Sequence, residues 1–206
     1  MPISREEFLR LRENDPVELL NRYFRHIETD ITIIRNWSAE VVGAYSPKID
    51  IAIGPFSIHP EQKLIYEYDD LVKKSSILIN SLIDSFRNNY SRYSWIRLGR
   101  LPQNINDFLT PQASNPNSRC FLAIEIEGKT SMKHRLGSII NASALGRIGI
   151  IVAKNEEVLK SILRLLAYLH FLKEVRKLTF DINNIIVIRE DQFINILKRL
   201  ITSLGT

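Results

Sequence analysis

Cysteine is nearly absent from this chain of 206 residues: Cys120 stands alone. One thiol excludes an intrachain disulfide and a cysteine-ligated zinc cluster. Cys120 opens the apolar run Cys120–Ala123, so a buried structural thiol in a reducing, intracellular (cytoplasmic) protein is expected. No apolar run approaches the roughly 18 residues that a membrane span requires, and no signal-peptide pattern follows Met1. A protein without membrane contact is therefore expected. Internal repeats and low-complexity tracts are also missing. What is present is globular in kind, with 45% hydrophobic and 25% charged residues, enough for one domain over 1–206. The formal charge of +5 permits a polyanionic partner without demanding one.

Local patterns divide the chain. Ser4 suits the N-cap of a short helix carrying Phe8 and Leu11. Asp15-Pro16 opens a second helix, with Val17, Leu20, Tyr23, Phe24 and Ile27 as its apolar stripe, extending toward Ile31 and Ile34. A first strand is expected over Trp37–Tyr45. In Lys48–Ile53 the alternation is clean: Ile49, Ile51 and Ile53 share one face and Asp50 and Ala52 the other, until Gly54-Pro55 stops the strand. From Glu61 to Asn89 a broad stripe including Tyr68, Leu71, Leu78, Leu82 and Phe86 predicts a helix buried on more than one side, in the core or against a second subunit. Arg87, Tyr90, Arg92, Tyr93, Trp95, Arg97 and Arg100 then interleave cations with aromatic rings. Such a segment can neutralise phosphates and stack on bases, or simply lay arginine stems over rings. Residues 102–118 are polar and read as a long loop.

The stretch Cys120–Lys129 organises the rest. Its first half is wholly apolar, as in a central strand, and its second half sets Glu125, Glu127 and Lys129 at alternate positions. Alternate residues of a strand share a face about 7 Å apart, so these three charges converge. Burying like charges is costly, and a bound cation relieves that cost; an exposed strand end with solvated charges is the bland alternative. Thr130 or Ser131 caps a helix to Leu145, stopped by Gly146, with Leu136, Ile139, Ile140 and Ala144 on its buried face. Lys133, His134 and Arg135 crowd its first turn. An apolar strand (Arg147–Ala153), a helix (Glu156–Lys173), a strand (Ile185–Ile188) and a closing helix (Asp191–Leu204) complete the α/β pattern.

A helix, a strand, a strand bearing Asp50, a helical insertion, a strand bearing Glu127-Gly128-Lys129, a helix and a strand, in that order, resemble the PD-(D/E)XK nuclease superfamily, the restriction-endonuclease-like fold. The likeness covers about residues 16–153. It departs from the family's pattern at Ile49, where proline is usual; Pro47 lies further upstream. The resemblance implies an α-β-β-β-α-β core with a mixed central sheet flanked by helices. Residues 57–118 are then a helical insertion between the second and third strands, and 154–206 a C-terminal helix-strand-helix extension.

It implies a metal-dependent endonuclease of restriction or repair type, cutting DNA as a homodimer, with a partner protein as a conceivable source of specificity. Asp50 and Glu127 would hold Mg²⁺ or Mn²⁺, with Glu125 as a further ligand, because hard cations take carboxylate oxygens. Lys129 would orient the attacking water and offset charge on the phosphate. Lys133, His134, Arg135, Arg92 and Arg97 would touch nucleic acid. A lone histidine is more often structural than a general base, and Glu28 and Glu40 are not counted in the site. The alternative is an inactive relative that binds nucleic acid or scaffolds a partner complex.

Overall fold

The computed structural model describes residues 13–39, 47–57, 64–93, 115–128, 131–179 and 182–205. The helix at Ser4, the basic positions Arg97 and Arg100, Glu40 and Lys129 lie outside the described residues.

Asp15 caps helix α1 (Pro16–His26): its Oδ1 accepts the Val17 N–H at 3.1 Å, and proline occupies the first turn, where its missing donor costs nothing. Leu19, Leu20, Tyr23 and Phe24 bury the apolar face. The expected continuation to Ile34 does not occur. Ile27 ends the helix, Glu28 turns left-handed at φ 51°, and β-branched Ile33 and Ile34 open strand β1 (Ile33–Ser38). That strand begins four residues before the expected Trp37. Strand β2 (Lys48–Ile53) runs as read.

The long helix expected from Glu61 is two, α2 (Ile65–Lys74) and α3 (Ser76–Ser91). They part at Ser75, whose hydroxyl donates back to the Leu71 carbonyl and so competes with the helical ladder. The broad apolar stripe is core: Tyr68, Leu78, Ile79, Leu82 and Phe86 are fully buried.

Strand β3 (Cys120–Glu127) is followed by α4 (Met132–Leu145), β4 (Gly146–Ala153), α5 (Glu156–Glu174), β5 (Ile185–Arg189) and α6 (Glu190–Leu204). The sheet order is β1-β2-β3-β4-β5, antiparallel from β1 to β3 and parallel from β3 to β5. Strand β3 is thus the one where the sheet changes direction. The helical crossovers α4 and α5 are what parallel neighbours require. Strand β4 is buried along its whole length, so helices cover both of its faces. Gly149 lets α4 lie close on β4, since a Cβ there would stand 2.9 Å from the Ala142 carbonyl carbon and 2.4 Å from Ile185 Cδ1.

Helix α4 is rotated from expectation. Ile139 is buried as expected, but Arg135, Ala142 and Ser143 join it inside while Ala144 is exposed. Cys120 is buried as expected, and burial pushes its thiol well above the ordinary range. Side chains of 57–118 and 154–206 enter one core, Phe86 and Phe193 among them. Among the described residues no helix is long and apolar enough to cross a membrane.

Candidate active site

A cavity of about 580 Å³ opens where β2 begins and β3 and β4 end, with the start of α4 above it. Asp50, Glu125 and Glu127 all line it. The pairing of β2 with β3 stops at Ile51–Ile124, one position short of Asp50. There the Asp50 carboxylate takes over the work of the ladder, its Oδ2 accepting the Ile126 N–H at 2.8 Å. On its other side the β1–β2 register also skips residue 50, opposite which Asn36 is left-handed at φ 50°. Asp50 thus sits where the register breaks on both sides, and the Ile126 N–H helps to fix its carboxylate.

Glu125 and Glu127 are 7% and 5% exposed, so the bland reading of a solvated strand end fails for both. Glu125 is hydrogen-bonded to Asp50 and to the Asn141 amide. Burial, above all, then the negative charge of Asp50 and the proton Glu125 gives it, push the Glu125 carboxyl up to about 8 from an ordinary 4.5. At neutral pH Glu125 is therefore protonated, and its proton holds it to Asp50. Ser138 donates to Glu127 Oε2 at 3.0 Å, with the His134 carbonyl a competing acceptor at 3.2 Å.

Cations form the rim. Lys133 and His134 line the cavity as the sequence reading expects, and Lys48 and Lys154 join them. Arg135 does not: it is buried, and its guanidinium donates to Ser161 of α5. Helical spacing explains the split, since 133, 134 and 137 follow one side of α4 while 135 faces its neighbour helix. Arg92 is exposed at the C-cap of α3 and is not a cavity residue. Glu28 lines a separate surface hollow with Asp30, Glu67 and Asp70.

Ser138, Asn141, Lys48 and Lys154 were missed by sequence reasoning. The first two were findable: His134, Ser138 and Asn141 make a polar stripe at four- and three-residue spacing on the helix after the acidic strand. Lys48 was findable too, two residues before Asp50 on one strand and so on the same face, whereas Lys154 has no such signal, because only the sheet register brings it in.

The donor set consists of carboxylate oxygens, the type that Mg²⁺ and Mn²⁺ take, and it carries the like-charge strain that a divalent cation relieves. By residue type and convergence the cavity fits such an ion. Its oxygens are turned to each other, to Asn141 and to Ser138, and among the described residues no group of three or more His, Cys, Asp and Glu is arranged to hold a metal ion.

Fold and cavity together define an α/β protein with a mixed five-stranded sheet and a buried cluster of acids at the ends of its central strands. No family model, no curated protein and no solved structure matches the chain.

Proposed function

We propose that this protein is a metal-dependent endonuclease that hydrolyses DNA phosphodiester bonds, of the PD-(D/E)XK kind. One observation carries the reading: three acids from two strands share one cavity with a cationic rim, at the end of a strand antiparallel to one neighbour and parallel to the other. Asp50, Glu127 and Glu125 would hold Mg²⁺ or Mn²⁺, and such an ion, when bound, polarises the phosphate and makes water a better nucleophile. The chain's own part is to seat the ester. Lys133 and His134 bind the phosphate, and Lys129 orients the water. The water oxygen bonds to phosphorus as one ester P–O bond breaks, giving a phosphate monoester end and a free hydroxyl, with the proton passing to the departing oxygen through solvent. Cutting both strands of a duplex takes two such cavities, which is the ground for a homodimer.

The test is supercoiled plasmid incubated with Mg²⁺, Mn²⁺ or EDTA, wild type beside Asp50→Ala. Nicking that needs both metal and Asp50 supports the reading, and absence of cleavage with either metal on plasmid, branched and single-stranded DNA overturns it. The hydrogen bond of Glu125 to Asp50 favours one second reading, an inactive relative whose acids are held to each other and that binds nucleic acid. DNA retention in EDTA without cleavage in metal selects it.

A further inference from the structure

We infer that Lys154 is a phosphate-contacting lysine of this cavity, admitted to it by the absence of a side chain at Gly128. The inference rests on the nuclease reading and adds a second amine to the one that the acidic-strand motif supplies.

Lys154 directly follows Ala153, the last residue of β4, which pairs in register with Glu127. Its N–H donates to the Glu127 carbonyl at 3.0 Å. The next residue, Asn155, caps α5, its side chain accepting the Val158 N–H at 3.0 Å. The Lys154 backbone is therefore clamped between an acid of the site and a helix start, so little freedom remains to be lost when a ligand arrives.

Gly128 decides where the side chain goes. A Cβ at 128 would stand 2.9 Å from Lys154 Cδ and 3.4 Å from its Cγ, so the aliphatic stem lies across the bare backbone of residue 128. Gly128 is not in the left-handed region, so its backbone tolerates alanine; what it supplies is room. Crossing there, Lys154 reaches the wall of the cavity that holds Asp50, Glu125 and Glu127. Among the described residues it enters no ion pair, and it is exposed.

A cation anchored through the backbone of one acid and committed to no carboxylate is suited to a non-bridging oxygen of the scissile phosphate, whose charge rises as the nucleophile attacks. Lys48 and Lys133 lack this anchoring. The variable residue of the Glu127-Gly128-Lys129 motif thus has a part of its own, as the gap through which a second lysine passes.

The experiment is steady-state cleavage of a defined duplex with Mg²⁺ by wild type, Lys154→Ala, Lys154→Arg, Gly128→Ala and Gly128→Val, with Tm measured for each. Expected for Lys154→Ala is a roughly 10²-fold fall in kcat with KM and Tm little changed. Arginine at 154 recovers part of the rate, and added ethylammonium partly rescues the alanine variant. Gly128→Val, which leaves Lys154 in the sequence but displaces its stem, reproduces the loss, and Gly128→Ala gives a smaller one. Lys154→Ala within threefold of wild type overturns the inference and leaves the nuclease reading standing, as does a loss that tracks Tm and is not recovered by arginine or amine. Absence of cleavage by the wild type overturns both.

Discussion

At the start of β4 Arg147 is buried, its guanidinium donating to Asp69 Oδ1 at 2.7 Å and to the Asn115 carbonyl at 3.1 Å. Beside it the Asn184 amide donates to the carbonyls of Ser143 and Gly146 at 3.0 and 3.1 Å, while the Ser143 hydroxyl donates back to Asn184 Oδ1 at 2.8 Å. A strand's length away, where β3 and β4 end, Glu125 and Glu127 are also buried, but beside a third acid, the half-buried Asp50. At the first end the Arg147 and Asn184 side chains pair donors with acceptors and opposite charges, so these groups are complete without help, although Ser118 Oγ and Arg119 Nη1 nearby find no hydrogen-bond partner among the described residues. The second end pairs like with like, so a proton is needed to close it. Buried polarity that is complementary builds the fold; buried polarity that is not complementary leaves the protein open to a ligand.

Four variants break or sharpen this contrast. Asp50→Asn keeps an oxygen for the Ile126 N–H while removing the charge, and should cut plasmid cleavage about 10³-fold or more with Tm held; loss of Tm in step with activity would make Asp50 an architectural residue like Asn184. Next in size is the effect of pH. Glu125 keeps its proton to about 8 in the folded protein against an ordinary 4.5, so between these values the folded state binds more protons than the unfolded. The stability this contributes is complete below about pH 4.5 and is lost as pH rises through 8, at about 1.4 kcal/mol per unit within the window. Chemical denaturation in EDTA at pH 5 and 7 should show wild type losing roughly 2–3 kcal/mol relative to Glu125→Gln. Parallel curves would mean that Glu125 is ionised throughout.

At the other end, Asn184→Ala removes three hydrogen bonds, although the Asn115 amide still donates to the Ser143 and Gly146 carbonyls; it should cost about 2 kcal/mol by urea denaturation, with cleavage per folded molecule unchanged. The smallest effect is that of Asp69→Ala, about 1 kcal/mol, because Asp69 is 42% exposed and water takes over part of its role toward Arg147. A loss of several kcal/mol would show that this ion pair is fully shielded.

The acidic half of the site was legible because strands have a period of two. Alternation in Lys48–Ile53 and Cys120–Glu127 placed Asp50, Glu125 and Glu127 on strands, and the mixed sheet was an expectation that came with the family resemblance. Patterns whose meaning depends on distant partners were not legible. Ile31–Ile34 fits a helical stripe as well as a strand, and the choice is made by pairing with β2. Which of the small residues of α4 face the sheet was not legible, because they carry little signal; Ala142 and Ser143 are inside and Ala144 outside, and Gly149 leaves room for the Ala142 backbone against β4. Lys154 looks in sequence like any loop lysine.

Asp50 and Ile126, joined by one hydrogen bond, are 76 residues apart in the chain, and Lys154 comes two helices, a strand, a helix and a strand after Asp50. The continuous stretch 125–141 supplies Glu125, Glu127 and the helical side of the cavity, while Asp50 and Lys154 come from distant elements. The cavity is therefore complete only after β2 has found β3 across the insertion and β4 has docked behind α4. A nascent or partly unfolded chain carries Asp50 apart from Glu125 and Glu127, and the cluster of three acids closes only with completion of the sheet.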